Sequence, residues 1–265
     1  MTDFISKTAE EVFGIKADPS DAEKLRAYIL RKFSEVNPET IQKVFLSGEA
    51  AGFLTVNETY FFREPMHFSF LLNLLPASEG TMIRICSAAT STGCEAYSIA
   101  MLMEAYNRGK ERPLSYHIDA FDIDQGAIRT ASGGIYSERS MREDGSSFRY
   151  MTAPYLKKTD NGYQVDSGLK KNINFFVHNL MDVFSPDTYD VIFFRNAFIY
   201  FSPRARSRVL SNLSCALKEK GTLIMGVSET AGARHESLEE KNEGDVFYFQ
   251  KAPRSPVPNS LLPIP

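Results

Sequence analysis

Asp122 follows the apolar run His117–Phe121 and stands about 30 residues beyond a loop of small residues, Ser87–Gly93. A carboxylate at that remove, one strand–helix–strand unit later, is placed to accept both hydroxyls of a ribose. The competing use is a helix cap, and Asp124, directly before Gln125, reads as one. The loop sits inside Ile83–Ala100, IRICSAATSTGCEAYSIA, where an apolar β-type run (Met82, Ile83, Ile85) gives way to small residues and then to a helical pattern with Tyr97, Ile99 and Ala100. The G-x-G-x-x-G spacing that brings a pyrophosphate to a helix N-terminus is absent. An adenosine-bearing ligand without phosphates fits that difference, which makes S-adenosylmethionine the candidate cofactor. Glu95 heads the following helix, where the helix dipole favours a carboxylate; the same position faces the pocket and suits a sulfonium or an amino group.

Arg195 and Asn196 close the apolar run Asp190–Phe194, and Tyr200 follows in Ile199–Ser202. An arginine, an amide and a phenol thus converge beyond one buried strand, where open α/β sheets bind ligands. Solvent exposure for Arg195 and packing for Tyr200 are the plainer alternatives. Asn179-Leu180 lies just past another strand, and its amide is placed for an adenine edge. The run Asn57–Glu64 is mostly core, since Tyr60, Phe61 and Phe62 need burial. Embedded in it are Asn57, Thr59 and Arg63. A helix would put Thr59 and Arg63 one turn apart on one face, either as cap and salt-bridge partner or as cleft residues.

Strands are expected at Met82–Cys86, Tyr116–Phe121, Ile173–Val177, Val191–Phe194 and Leu223–Gly226, with helices at Glu95–Tyr106, Gln125–Ser132 and Pro203–Lys218. This alternation means an α/β fold with a mostly parallel sheet covered on both faces. Before it, residues 1–76 read as a helical domain. Asp18-Pro19-Ser20-Asp21 caps a helix carrying Leu25, Ile29 and Phe33; Pro38-Glu39-Thr40 opens a second; Gly52–Val56 is a break; and a helical pattern resumes over Asn57–Leu75 up to Pro76. Residues 77–251 form the sheet domain. Within it, 150–173 interrupts the alternation, and Asp160-Asn161-Gly162 with Tyr163 and Val165 marks an inserted hairpin. Residues 252–265 are a Pro-rich tail.

The 265 residues are 43% apolar and 24% charged, enough for a real core. A net charge of −3 argues against a general nucleic-acid binder but leaves room for a local basic patch. Three cysteines without C-x-x-C spacing and four scattered histidines offer neither a disulfide framework nor a metal site. No apolar run is long enough to enter a membrane, so the expected compartment is the reducing cytoplasm. Lys24, Arg31 and Lys32 are either a basic docking face or an ordinary solvated one.

Taken together, NETYFFREP, SAATSTGCEAYSIA, AFDID, GIY, Asn179-Leu180, FFRNAFIYF and GVSE (Gly226–Glu229) resemble the chemotaxis receptor methyltransferases, the CheR family, over Phe13–Lys251. The resemblance implies a class I S-adenosylmethionine-dependent methyltransferase domain (Rossmann-like) with an N-terminal all-α domain and a small inserted antiparallel β-subdomain. It implies methylation of glutamate side chains on the cytoplasmic helical bundle of a methyl-accepting chemotaxis protein. Carried over by motif, Asn57, Thr59, Arg63, Glu95, Asp122, Asn179, Leu180, Arg195 and Asn196 line the cofactor site, and Arg63 and Tyr200 stand by the transferred methyl group. The chain departs from the pattern at Cys94-Glu95-Ala96, where many members have two acids and a proline, and at Cys86, where a Trp is common. Its hairpin lacks the longer Gly-rich loop of members that tether to a receptor's C-terminal pentapeptide, which implies a pentapeptide-independent enzyme. A class I methyltransferase for another substrate, and a non-catalytic regulator that holds the cofactor, are the alternatives.

Overall fold

The computed structural model describes residues 1–75, 82–142, 148–160 and 162–253. Pro76, Asn161 and nearly all of the Pro-rich tail, each singled out by the sequence, lie outside the described residues.

The amino-terminal part consists of α1 (Thr2–Phe13), α2 (Pro19–Phe33), α3 (Pro38–Leu46) and the single turn α4 (Ala51–Leu54). Local chemistry starts and stops them. Asp18 caps α2 by accepting from the Ser20 amide at 2.8 Å, and Asn37 and Thr40 form a reciprocal capping box on α3. α1 ends at Gly14 in the left-handed region, φ 72°. A Cβ there would sit 2.6 Å from Ala205 Cβ, so glycine is required both by the backbone and by space. Ile5, Phe13, Leu25, Ile29, Ile41 and Phe45 make the core of these helices.

The large sheet has seven strands: β1 (Met82–Ala88), β2 (Ser115–Asp122), β6 (Ile173–Val177), β7 (Tyr189–Phe194), β8 (Leu217–Met225), β9 (Leu238–Glu243) and β10 (Val246–Lys251). Their order is β6-β2-β1-β7-β8-β10-β9, parallel through β8, with β10 antiparallel between β8 and β9. Three helices, α6 (Cys94–Asn107), α7 (Gln125–Gly133) and α10 (Pro203–Ala216), follow β1, β2 and β7 in the chain, and the short turns α8 (Arg149–Thr152) and α9 (Ser167–Lys170) fall between α7 and β6. The strand order departs from β1 in both directions, so a crevice opens at its carboxyl end. Register aligns that edge: Ala88 is level with Phe121 and Phe194, Asp122 with Val177, and Phe194 with Met225.

The five expected strands and three expected helices are present. β9 and β10 went unanticipated; β9 is a charged edge strand, LEEKNE, that buries only Leu238 and shows no apolar alternation. A three-stranded antiparallel sheet holds the expected hairpin, β4 (Leu156–Thr159) with β5 (Gly162–Val165). It also recruits β3 (Ile135–Tyr136) from before the expected insertion. Tyr136, Leu156 and Val165 join the same core as the large sheet, so this unit has no separate core.

The helix expected over Asn57–Leu75 is corrected. Only α5 (Pro65–Leu74) is helical, with Pro65 at its first position, and Asn57–Glu64 is extended and turn-like. Phe62 and Glu64 have φ near +55°. The backbone amides of this run are taken by the rest of the molecule: Phe61 donates to Ser140 O at 3.0 Å and Phe62 to Ser98 Oγ at 2.9 Å. Tertiary hydrogen bonds thus override the helical periodicity, and the one-turn argument for Thr59 and Arg63 falls with it.

Candidate active site

All ten residues singled out by the sequence line one cleft at the carboxyl edge of the sheet, which holds about 870 Å³ of space, part of it open to solvent. β2 delivers Asp122, the segment after β6 delivers Asn179 and Leu180, and the end of β7 delivers Arg195 and Asn196. Asn57, Thr59 and Arg63 come from the extended connection, Glu95 from the first turn of α6, and Tyr200 from the short 3-10 turn Phe198–Tyr200. Thr59 and Arg63 therefore share the cleft without sharing a helix.

Asp122 is almost fully buried and accepts from the Ser91 amide (2.7 Å) and the Asp124 amide (2.9 Å), one on each oxygen. Each oxygen keeps a second lone pair. Burial is the main influence on this carboxyl and raises it to about 6. Asp124 is the cap it resembles, accepting from Gly126 and Ala127 amides, and its other oxygen takes the Asn57 amide at 2.6 Å.

Arg195 is buried rather than solvated, its side chain 2% exposed. Its Nε donates to Glu95 at 2.7 Å, and its Nη1 donates to the Arg63 carbonyl at 2.8 Å and to His67 Nδ1 at 3.0 Å. Glu64 stands 3.5 Å from the same Nη1, and Phe68 and Phe193 flank the guanidinium. Glu95 accepts Ser87 Oγ on its remaining oxygen. Burial opposes ionisation of Glu64, yet His67, Arg195 and Asn196 outweigh it and hold the carboxyl at about 2. Burial lowers His67, whose Nδ1 stands 3.0 Å from Arg195 Nη1 and 3.2 Å from Glu64. Glu64 stands inside a quoted motif with no role assigned; apart from His67 three residues on, its partners Arg195 and Asn196 are 131 and 132 positions away.

Glu229 was the other unassigned motif residue. It is buried and accepts the amides of Asn196 (2.6 Å), Gly226 (3.1 Å) and Ile199 (3.3 Å). One carboxylate thereby gathers the ends of β7 and β8 and the turn that carries Tyr200. Five non-glycine residues around the cleft, Phe62, Glu64, Ala89, Ser91 and Asn196, have positive φ. Conformations of this kind cost about 1–3 kcal/mol each and persist where surroundings over-determine them. Here Asp122 holds Ser91, and Glu229 and Glu64 hold Asn196.

Other residues are placed less simply. The Asn179 amide donates to Val12 O (2.7 Å) and accepts from Met181 N (3.0 Å), tying α1 to the sheet. His178, its unremarked neighbour, also lines the cleft; its ring sits among Phe121, Phe176 and Phe184, and buried Nε2 has no partner among the described residues. Phe13 and Ile15 complete the wall from the amino-terminal helices. Cys94, the position where an acid is missing, is sealed behind the loop; burial pushes its thiol up to about 12, so it stays protonated. Arg63 is half-exposed, with Nη1 donating to Glu58 O at 2.9 Å and its guanidinium 5.6 Å from the Tyr60 ring centroid.

Asp122 with two free lone pairs, apolar Phe121 and Leu180, and a small-residue loop fit an adenosine group. Among the described residues no cluster of His, Cys, Asp and Glu could hold a metal ion, and no helix is long and apolar enough to cross a membrane.

Residues 57–247 match the family model described as "CheR methyltransferase, SAM binding domain". A chemotaxis protein methyltransferase of Borreliella burgdorferi is 37% identical over 188 residues, covering 67% of this chain and 65% of its own length. One from Vibrio parahaemolyticus is 36% identical over 182 residues, 67% of this chain and 66% of its own. One from Listeria monocytogenes is 29% identical over 215 residues, 78% and 79% of the two chains. The chain thus spans slightly less than two thirds of the length of the first two relatives.

Proposed function

The chain belongs to the CheR methyltransferase family, and from that premise we propose that it methylates glutamate side chains on the cytoplasmic helical bundle of a chemoreceptor, with S-adenosylmethionine as donor. The observation that carries the reading is the meeting of Arg63, Tyr200 and the Asp122 carboxylate in a single cleft. The bound cofactor supplies an electrophilic methyl on a sulfonium. Asp122 would accept the ribose hydroxyls on its free lone pairs, and Phe121 and Leu180 would flank the base.

A glutamate has a reference pKa of about 4.3, so the nucleophile arrives ionised and no residue must remove a proton. What the protein supplies is alignment and exclusion of water. Arg63 directs the incoming carboxylate by charge-assisted hydrogen bonds, and Tyr200 positions it. Arg195, through the Arg63 carbonyl, fixes the backbone from which that guanidinium extends. Arg63 must hold the carboxylate loosely, because its charge disappears in the transition state. Cys94 lies behind the loop, so the missing acid leaves the cleft lining intact.

The experiment is transfer of labelled methyl from the donor to a receptor cytoplasmic fragment, read as an alkali-labile ester. Arg63→Ala is expected to lower kcat about 100-fold and to leave the affinity for S-adenosylhomocysteine within about threefold. Equal rates for variant and parent remove Arg63 from the reaction. Binding of the product without transfer to any receptor fragment favours a regulatory homologue.

The finer reading is independence from a receptor pentapeptide. β4 and β5 are only four residues each. Calorimetry with a receptor C-terminal pentapeptide is expected to give no heat; micromolar binding overturns that reading.

A further inference from the structure

Glu229 is 3% exposed, and among the described residues no cation offsets its carboxylate. A carboxylate so deep without a counter-charge is costly unless hydrogen bonds compensate it. Its Oε2 accepts from Asn196 N at 2.6 Å and from Gly226 N at 3.1 Å, and its Oε1 accepts from Ile199 N at 3.3 Å. Burial raises the carboxyl, and these amides together with that of Phe198 oppose the rise. Two oxygens with about four lone-pair sites let one side chain hold three segments; a hydroxyl or a carboxamide offers fewer acceptors.

The fold makes room for this carboxylate. Phe194 and Met225 are level in register, so the chain leaves β7 and β8 side by side toward Asn196 and Gly226. A Cβ on Gly226 would stand 2.6 Å from Glu229 Oε2 and 3.0 Å from Asn196 Nδ2. The Glu229 amide donates to Gly226 O at 2.9 Å, which turns the chain back at the end of β8.

The two oxygens serve different parts of the cleft. Oε2 holds the strand ends, including Asn196 at φ 59°. Oε1 holds Ile199, inside the turn that ends in Tyr200. Among the described residues the Tyr200 hydroxyl has no hydrogen-bond partner, so the ring is aimed by its backbone and its packing on the amino-terminal core. That backbone is tied by the Lys16 amide, which donates to Tyr200 O at 2.9 Å, and one residue earlier by the Ile199 amide on Glu229.

We propose that Glu229 is a positioning residue for methyl transfer: through the Ile199 amide it sets where Tyr200 presents its hydroxyl. The inference rests on the reading that puts Tyr200 beside the transferred methyl, and Glu229 itself touches no reacting atom. Its second oxygen meanwhile braces the strand ends, so the two duties can be separated by chemistry.

Glu229→Gln separates them because it keeps the shape. Its carbonyl can take the place of Oε2, with the bonds to Asn196 and Gly226, while its NH2 faces the Ile199 N–H, donor against donor. With the full chain, a receptor cytoplasmic fragment and saturating S-adenosylmethionine, kcat is expected to fall about tenfold. The KM for the fragment and the S-adenosylhomocysteine affinity should stay within about threefold. Tyr200→Phe should lower kcat by itself, and adding Glu229→Gln to it should cost less than about twofold more. A brace with no link to Tyr200 would lower kcat by the same factor in both backgrounds. Gly226→Ala, whose Cβ displaces the carboxylate without removing it, should show the same dependence on Tyr200 and decides the matter if Glu229→Gln does not fold. Equal factors in the two backgrounds, or a parent-like kcat in Glu229→Gln while Tyr200→Phe is impaired, overturn the positioning role alone. A parent that binds S-adenosylhomocysteine and methylates no fragment, or a Tyr200→Phe variant with the parent's kcat, overturns the underlying reading and this inference with it.

Discussion

Asp122→Ala is expected to weaken S-adenosylhomocysteine binding by about 100-fold, because hydrogen bonds to a charged acceptor contribute about 1.5–3 kcal/mol each. Two such bonds to ribose hydroxyls are lost at once. The same substitution removes the acceptor of the Ser91 amide and so frees a loop whose positive φ values that carboxylate helps to hold. Asp122→Asn keeps one acceptor oxygen and should retain part of the affinity. The pH dependence follows from burial. In the ligand-free protein the carboxyl stands at about 6 against an ordinary 3.8. Hydroxyl donors favour the ionised form, so affinity is full above about pH 6 and falls as protonation sets in below it. Calorimetry from pH 5 to 7.5 should show that fall in the parent and none in Asp122→Asn. A parent affinity independent of pH, or an unchanged dissociation constant in Asp122→Ala, would rule out the ribose role.

The second large effect concerns stability. Removing one member of a buried ion-pair network costs about 3–5 kcal/mol, since the partners are left charged in a poor solvent. Arg195→Ala does this to Glu95 and Glu64 together and also deprives the Arg63 carbonyl and His67 of a donor. For a chain of this size the melting temperature should fall by about 10 °C. Arg195→Lys keeps the charge but not the planar fork that reaches Glu95, His67 and the Arg63 carbonyl at once, so it should recover only part of the loss. Thermal melts with and without S-adenosylhomocysteine separate the fold from the site. A melting temperature within about 2 °C of the parent would mean that Arg195 contributes no net stability.

Most of the α/β architecture was legible because its signals are local. Apolar runs of four to six residues, punctuated by caps and small loops, mark β1, β2, β6, β7 and β8 and the helices between them. β9 escaped because an edge strand needs no apolar alternation, and β10 because its buried positions, Val246, Phe249 and Lys251, do not alternate either. Asn57–Glu64 was misread as helix because it was joined to the Phe-rich helical pattern that continues to Leu75, while the hydrogen bonds that decide its path come from Ser98 and Ser140.

At the site, residue types and their order along the chain were enough to gather ten positions into one cleft, since parallel strands in register must deliver their carboxyl ends to one edge. What each side chain does there depended on partners far away in sequence. Arg195 looked like a cleft cation and is a buried hub; Asn179 looked like a base contact and is tied to Val12; Glu229 had no reading and braces three amides. Sequence alone determined the fold class, the cleft and its chemical inventory, because those follow from periodicity and strand order. Only the tertiary structure decided which charges are already compensated and which remain free, because an ion pair or a backbone hydrogen bond is set by distances of about 3 Å that no spacing along the chain records.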